Sequence, residues 1–126
     1  MRTVWITAII FLVVLAGSVI IFIYSTAMYN QLQESLHRIH RAVEEDDWAA
    51  ADRESGELQK IWARTDASWA PIMDHRHVDH LDQSLTRVVK LIELRNREDL
   101  LVEVAVAIRT AKRIKNMEVP SLRNIF

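Results

Sequence analysis

The sequence predicts an all-α protein: one N-terminal transmembrane helix, then about four amphipathic helices arranged as two helical hairpins in a bundle or short helical stack. Three observations carry that expectation. The 126 residues include only 2 Gly and 2 Pro, too little turn punctuation for a sandwich, a barrel or a loop-rich scaffold. Across residues 4–24 only Thr7, Gly17 and Ser18 are not hydrophobic, and no charge occurs between Arg2 and Glu34. Beyond that stretch apolar residues return at steps of three and four, the period of a helix with one buried face. The length accommodates a single domain. With no Cys in the chain, disulfide frameworks, thiol nucleophiles and thiolate zinc sites are excluded.

The first element is the anchor. At a rise of about 1.5 Å per residue, residues 4–24 cover roughly 30 Å, the thickness of a bilayer's hydrocarbon core. Trp5 near one end and Tyr24 and Tyr29 near the other stand where amphipathic aromatics line the two interfaces. Ser25-Thr26-Ala27 offers the small residues of a signal-peptide cleavage site, but signal peptides have apolar cores of about 7–15 residues and this one is longer. Residues 1–28 are therefore read as an uncleaved anchor. Arg2 and the amino terminus precede the span, while Arg38 and Arg41 lie well beyond it. The positive-inside rule then favours a cytoplasmic N-terminus at the cell membrane and an extracytoplasmic C-terminal domain, and the lack of Cys agrees with that side.

Residues 29–118 form the helical domain. From residue 30 onward 15 basic residues (the 16 of the chain less Arg2) face 17 acidic ones, so this part is close to neutral. Its helices follow Leu32, Leu36, Ile39 and Val43; Trp48, Ala51, Ser55, Leu58 and Trp62; Leu81, Leu85, Val88 and Ile92; and Leu100 or Leu101, Val104 and Ile108. Breaks are expected at Glu45-Asp46-Asp47, between Thr65 and Pro71, and at Arg95-Asn96. At the second break Asp66 or Ser68 would cap, with Pro71 in the first turn of the next helix, where its missing amide costs nothing. Pro120 is expected to close the last helix and leave residues 119–126 as a tail.

An internal echo pairs the helices. Residues 36–44, LHRIHRAVE, align at an offset of 49 with residues 85–93, LTRVVKLIE, with three identities and three conservative pairs. An Asp/Asn-containing turn and another amphipathic helix follow each copy, so each half reads as a helical hairpin.

The stretch from Asp74 to Asp82 holds three His and three Asp, and Asp74-x-x-His77-x-x-His80 has the spacing of Glu34-x-x-His37-x-x-His40. Acid-x-x-His pairs on facing helices are how di-metal bundles hold iron or manganese. Helical phase opposes such a site, because the core line of the first helix leaves Glu34 on the opposite face and His37 outside. In the third helix Asp74 lies near the core line and His77 about 50° from it, while His75, Asp79, His80 and Asp82 fall at the flanks. Asp74, His75 and His77 remain the candidates for a polar site, with Asp74 and His77 as a half-buried pair. No metal or other cofactor is expected. Nor is catalysis, since the chain has no Gly-rich phosphate loop and no nucleophile elbow. Arg109, Lys112, Arg113 and Lys115 read as cations complementing a helix C-terminus, and nucleic acid is not an expected partner. Trp48, Trp62 and Trp69 share one apolar stripe and read as core.

The single N-terminal span, Trp62-x6-Trp69-x5-His75, the helix through Ser84-Leu85-x-Arg87 and the terminal Asn124-Ile125-Phe126 together resemble an uncharacterised bacterial membrane family, domain of unknown function 4363, found mainly in Gram-positive spore-formers. In that family the His at the position of His75 is followed two residues on by an acidic residue. Here His77 stands instead, which counts against a fixed His-carboxylate site. The resemblance implies a helical, membrane-anchored protein without assigned chemistry.

The functional expectation is a membrane-anchored accessory subunit that binds another membrane protein and catalyses nothing, with homo-oligomers left open. Its docking residues would be Leu122, Ile125 and Phe126 in the tail and Ala16, Gly17 and Ser18 in the span. The alternative is an extracytoplasmic sensing or small-ligand or metal-binding bundle, with Asp74, His77, Trp62 and Trp69 around a polar site responsive near neutral pH.

Overall fold

In a computed structural model, residues 1–71 and 73–125 are described, with side chains described through residue 117. Four helices follow one another: α1 (Arg2–Glu44), α2 (Trp48–Trp69), α3 (His75–Glu93) and α4 (Arg97–Ile125). The apolar stretch and the first amphipathic helix are one element of 43 residues. No Gly or Pro separates Tyr24 from Leu32, and Ser25, Thr26 and Asn30, which could cap a new helix, lie inside the continuous one. The N-terminal part is exposed along its length, and burial begins at Ser25 and Met28.

Each helix buries most of the stripe its spacing predicts, but Trp48 and Ile108 are only partly buried and Ala107 takes the inward place in α4. Leu32, Leu36, Ile39 and Val43 of α1, Ala51, Leu58 and Trp62 of α2, Leu81, Leu85, Val88 and Ile92 of α3, and Leu100, Val104 and Ala107 of α4 belong to one core cluster. Among the described residues α1 packs on α2 and α4, and α3 packs on α4 and α2. This is the arrangement of an up-down bundle with short turns.

The echo at offset 49 extends through the whole hairpin. Asp46 and Arg95 both take left-handed backbone, at φ 54° and 56°. Their amides reach Val43 O and Ile92 O, and the next amides, of Asp47 and Asn96, reach Ala42 O and Leu91 O. Both turns are thus Schellman caps made without glycine. Asp47 then caps α2 through Ala50 N at 3.1 Å, and Asn96 accepts from Asp99 N at 3.3 Å. The cross-helix ion pairs repeat too: Arg38 to Glu54 at 2.9 Å and Arg87 to Glu103 at 3.0 Å.

The two halves differ in how the acid is used. Glu103 accepts from Arg87 and also from the buried Ser84 hydroxyl at 2.8 Å, whereas Ser35, the counterpart of Ser84, is buried with no partner. Glu103→Ala should therefore cost about 1–3 kcal/mol, because it strands a buried hydroxyl. Glu54→Ala, whose acid accepts from no buried hydroxyl, should cost under about 1 kcal/mol. Urea unfolding followed by helical circular dichroism reads the difference.

Two boundaries differ from expectation. The second break lies later, because Thr65 and Trp69 are on the buried face and packing holds α2 for another turn. Asp66 and Ser68 are inside α2, Ser68 donating back to Arg64 O at 3.0 Å, and Pro71 lies past the helix end and before α3. Helix α4 runs through Pro120 to Ile125, so the backbone of residues 119–125 is helical and no separate tail begins at 119. Proline removes one amide and crowds the carbonyl four residues back, which kinks a helix as readily as it ends one. The side chains of Leu122 and Ile125, and Phe126 altogether, lie outside the described residues.

Candidate functional site

Asp74 is the N-cap of α3, in extended backbone at ψ 122°, and its Oδ1 accepts from Arg76 N at 2.9 Å. Being outside the helix, it does not follow the helical phase that placed it near the core line, and its side chain is half exposed. That amide bond, ahead of the charges of Arg76, His77 and His75, holds its carboxyl below the usual range. His75 is exposed and His77 half-buried. The expected half-buried Asp74/His77 pair is thus replaced by a helix cap beside a histidine.

His77 instead faces an open groove of about 290 Å³ between α3 and α4, with His80, Ser84, Arg87, Thr110 and Arg113 along it. On α1, Glu34 lies 3.9 Å from Arg38, and His40 Nδ1 lies 3.2 Å from Glu44. Among the described residues no three His, Asp or Glu side chains converge as a metal's ligands would.

Trp48, Trp62 and Trp69 pack within the bundle. Trp62 and Trp69 meet edge to face, with ring centroids 6.3 Å apart at 87°. Trp62 Nε1 donates to Asp82 Oδ1 at 2.7 Å, giving Asp82 a role that its place at the flank of α3 did not announce. The length of an indole reaches a carboxylate that helical phase alone leaves in solvent. Trp69 is fully buried, and its indole N–H has no acceptor. Trp48 is partly buried against the core and carries the Arg95 guanidinium 5.3 Å from its ring centroid.

Arg95 also grips Asp52 with two bonds of 2.7 Å. The hydrogen bond from Arg95 holds the Asp52 carboxyl below its ordinary range. A carboxyl whose value falls on folding contributes stability that is complete above its unfolded value and is lost as pH falls through the folded one. Asp52→Asn and Asp74→Asn should each lower the unfolding midpoint at pH 7 and flatten its decline in acid. Thermal unfolding between pH 7 and pH 2 checks this, with no change in the acid limb as the contrary result.

Helix α4 carries a feature that the sequence reading assigned elsewhere. Arg109, Lys112, Arg113 and Lys115 were expected to complement a helix terminus, yet α4 continues ten residues past Lys115, to Ile125. The dipole acts within the last turn, so it does not account for them. Arg109, Lys112 and Arg113, with Asn116 and Met117, line an open surface of about 490 Å³.

In the apolar part of α1, Ala16 and Ser18 are exposed and Gly17 is partly so. A methyl group added at Gly17 would meet nothing within 4 Å. The Ser18 hydroxyl donates to Val14 O at 2.8 Å, keeping its polarity inside the helix.

No curated protein and no solved structure matches the chain. A family model does, over residues 19–125, from the last turns of the apolar stretch to the end of α4. The chain belongs to that family, described as a domain of unknown function (DUF4363).

Proposed function

We propose that this is a single-pass membrane protein whose bundle acts as an accessory subunit, binding another membrane protein without catalysis. The observation that carries this reading is the unbroken α1. One helix is exposed over its apolar half, long enough to cross a bilayer, and enters the core with its other half. An element built this way transmits the position of a partner in the membrane directly to the bundle. The surface of the span, including Ala16, Gly17 and Ser18, is free for helix packing, where small residues let backbones approach closely. We take the N-terminus to be cytoplasmic and the bundle outside because Arg2 and the amino terminus are the charges next to the span in sequence.

The test is to crosslink native membranes mildly, solubilise the tagged full-length chain gently, and identify what accompanies it. A membrane protein recovered in near-stoichiometric amount, and lost on Gly17→Leu while the unfolding midpoint of the bundle stays put, supports the reading. Recovery of the chain alone overturns it.

A further inference from the structure

Helices α1 and α4 run antiparallel in fixed register. Gln33 Nε2 donates to Ile108 O at 3.0 Å, and Lys115 Nζ donates to the Thr26 hydroxyl. The two ties are seven residues apart on both helices. Lys115 Nζ also stands 5.3 Å from the Phe22 ring centroid and 5.4 Å from that of Tyr29, so its charge lies between the last turn of the apolar stretch and the mixed segment that follows. Thr26 is two residues past Tyr24, where the apolar stretch ends. Lys115 therefore stands beside α1 where its apolar stretch ends.

Arg109, Lys112, Arg113 and Asn116 occupy positions i, i+3, i+4 and i+7, one face of α4, and all are exposed. At about 1.5 Å per residue Arg109, the farthest, stands roughly 9 Å above Lys115, within about one Debye length at physiological salt. Like charges at these spacings repel, and no carboxylate among the described residues pairs with Arg109, Lys112 or Arg113. The opposite end of the bundle has the opposite character. Glu44, Glu45, Asp46 and Asp47 gather at the α1–α2 turn, and Glu93, Glu98 and Asp99 at the α3–α4 turn; Arg97 to Asp46 at 3.3 Å joins the two turns. The chain is thus acidic far from the span and basic beside it.

We propose that the Arg109/Lys112/Arg113/Asn116 face of α4 binds the phosphate headgroups of anionic phospholipids at the surface where α1 enters the bilayer; this rests on reading α1 as a membrane span. The face then stands upright at the foot of the bundle, against the headgroups of the lipids around the span. The lipid phosphate supplies a counter-charge that the described residues do not, and the Asn116 amide adds a donor.

The test uses the full-length chain in neutral detergent micelles, titrated with phosphatidylglycerol or phosphatidylcholine, with retained lipid counted by native mass spectrometry. Phosphatidylglycerol should be retained preferentially. Lys112→Gln should weaken that retention about fivefold, in line with one basic residue near an anionic surface. The triple Arg109→Gln/Lys112→Gln/Arg113→Gln variant should lose the discrimination, its helicity and unfolding midpoint unchanged because all three side chains are exposed. Equal retention of the two lipids, or discrimination that survives the triple change, overturns the proposal. Competition by millimolar inorganic phosphate also overturns it, in favour of a soluble anion. Carbonate extraction separates the underlying reading: a chain washed from its membranes at high pH has no span, and the lipid site falls with it.

Discussion

Trp69→Ala is expected to lower the free energy of unfolding by about 3–5 kcal/mol, the range for truncating a buried aromatic. Trp69 is the largest fully buried side chain of the bundle and stands edge-on to Trp62, so the deletion opens a cavity where α2 ends and removes an aromatic pair. A loss of that size approaches the whole stability of a small domain, and Trp69→Phe keeps the test informative. The indole N–H of Trp69 has no acceptor, and an unmet buried donor costs about 1–3 kcal/mol. Phenylalanine gives up some buried area but removes that donor, so the two terms oppose and the net change should stay within about 1 kcal/mol. Trp62→Phe gives up its bond to Asp82 and should cost more, although Trp62 is the more exposed of the two. Urea unfolding followed by helical circular dichroism ranks the three variants. Trp69→Phe proving costlier than Trp62→Phe would show that the Trp69 indole has a partner after all.

The hairpins were legible because amphipathic spacing is a local signal that the core merely reads out. Leu36 and Leu85 announce themselves at the same place in two similar segments, and the matched turns at Asp46 and Arg95, together with the Arg38–Glu54 and Arg87–Glu103 pairs, follow from the same offset. What the spacing could not report lies outside the helical period. Asp74 precedes its helix, so phase misplaces it; Asp82 is reached by a long indole from another helix; Thr65 and Trp69 extend α2 because packing outweighs the cap signals of Asp66 and Ser68. The join at residues 25–30 was hidden for another reason. Composition changes there from apolar to mixed, and such a change reads as a boundary even though the backbone needs none. The basic run of α4 was misassigned through the same kind of error at Pro120, which the helix passes. Once α4 is seen to continue, the dipole no longer explains the four cations in its interior.

The continuity of α1 gives the second large expectation. Ala27 is exposed, so a substitution there acts on the helix and not on the core. Ala27→Pro removes the amide bonded to the Ile23 carbonyl and drives its ring against it, at about 3 kcal/mol or more. Ala27→Gly keeps the bond and should cost about 1 kcal/mol. Ser25 and Met28, on either side, are buried, which ties the helix to the bundle through this turn. The kink is therefore absorbed toward the N-terminus and swings the apolar stretch away from Lys115 and its contacts with Phe22 and Thr26. Because the chain has no Cys, spin labels on Val14→Cys and Glu98→Cys report the angle between span and bundle without further changes. The distance distribution should be narrow in the parent chain and in Ala27→Gly, and broad or displaced in Ala27→Pro. An unchanged distribution in Ala27→Pro would mean that the join is already a hinge, and a hinge cannot carry a displacement from the membrane to the bundle. If the distribution broadens and a partner recovered with the parent chain is lost from Ala27→Pro but kept by Ala27→Gly, rigidity at this turn is what the partner requires. The mean helix content of the two variants would be nearly the same.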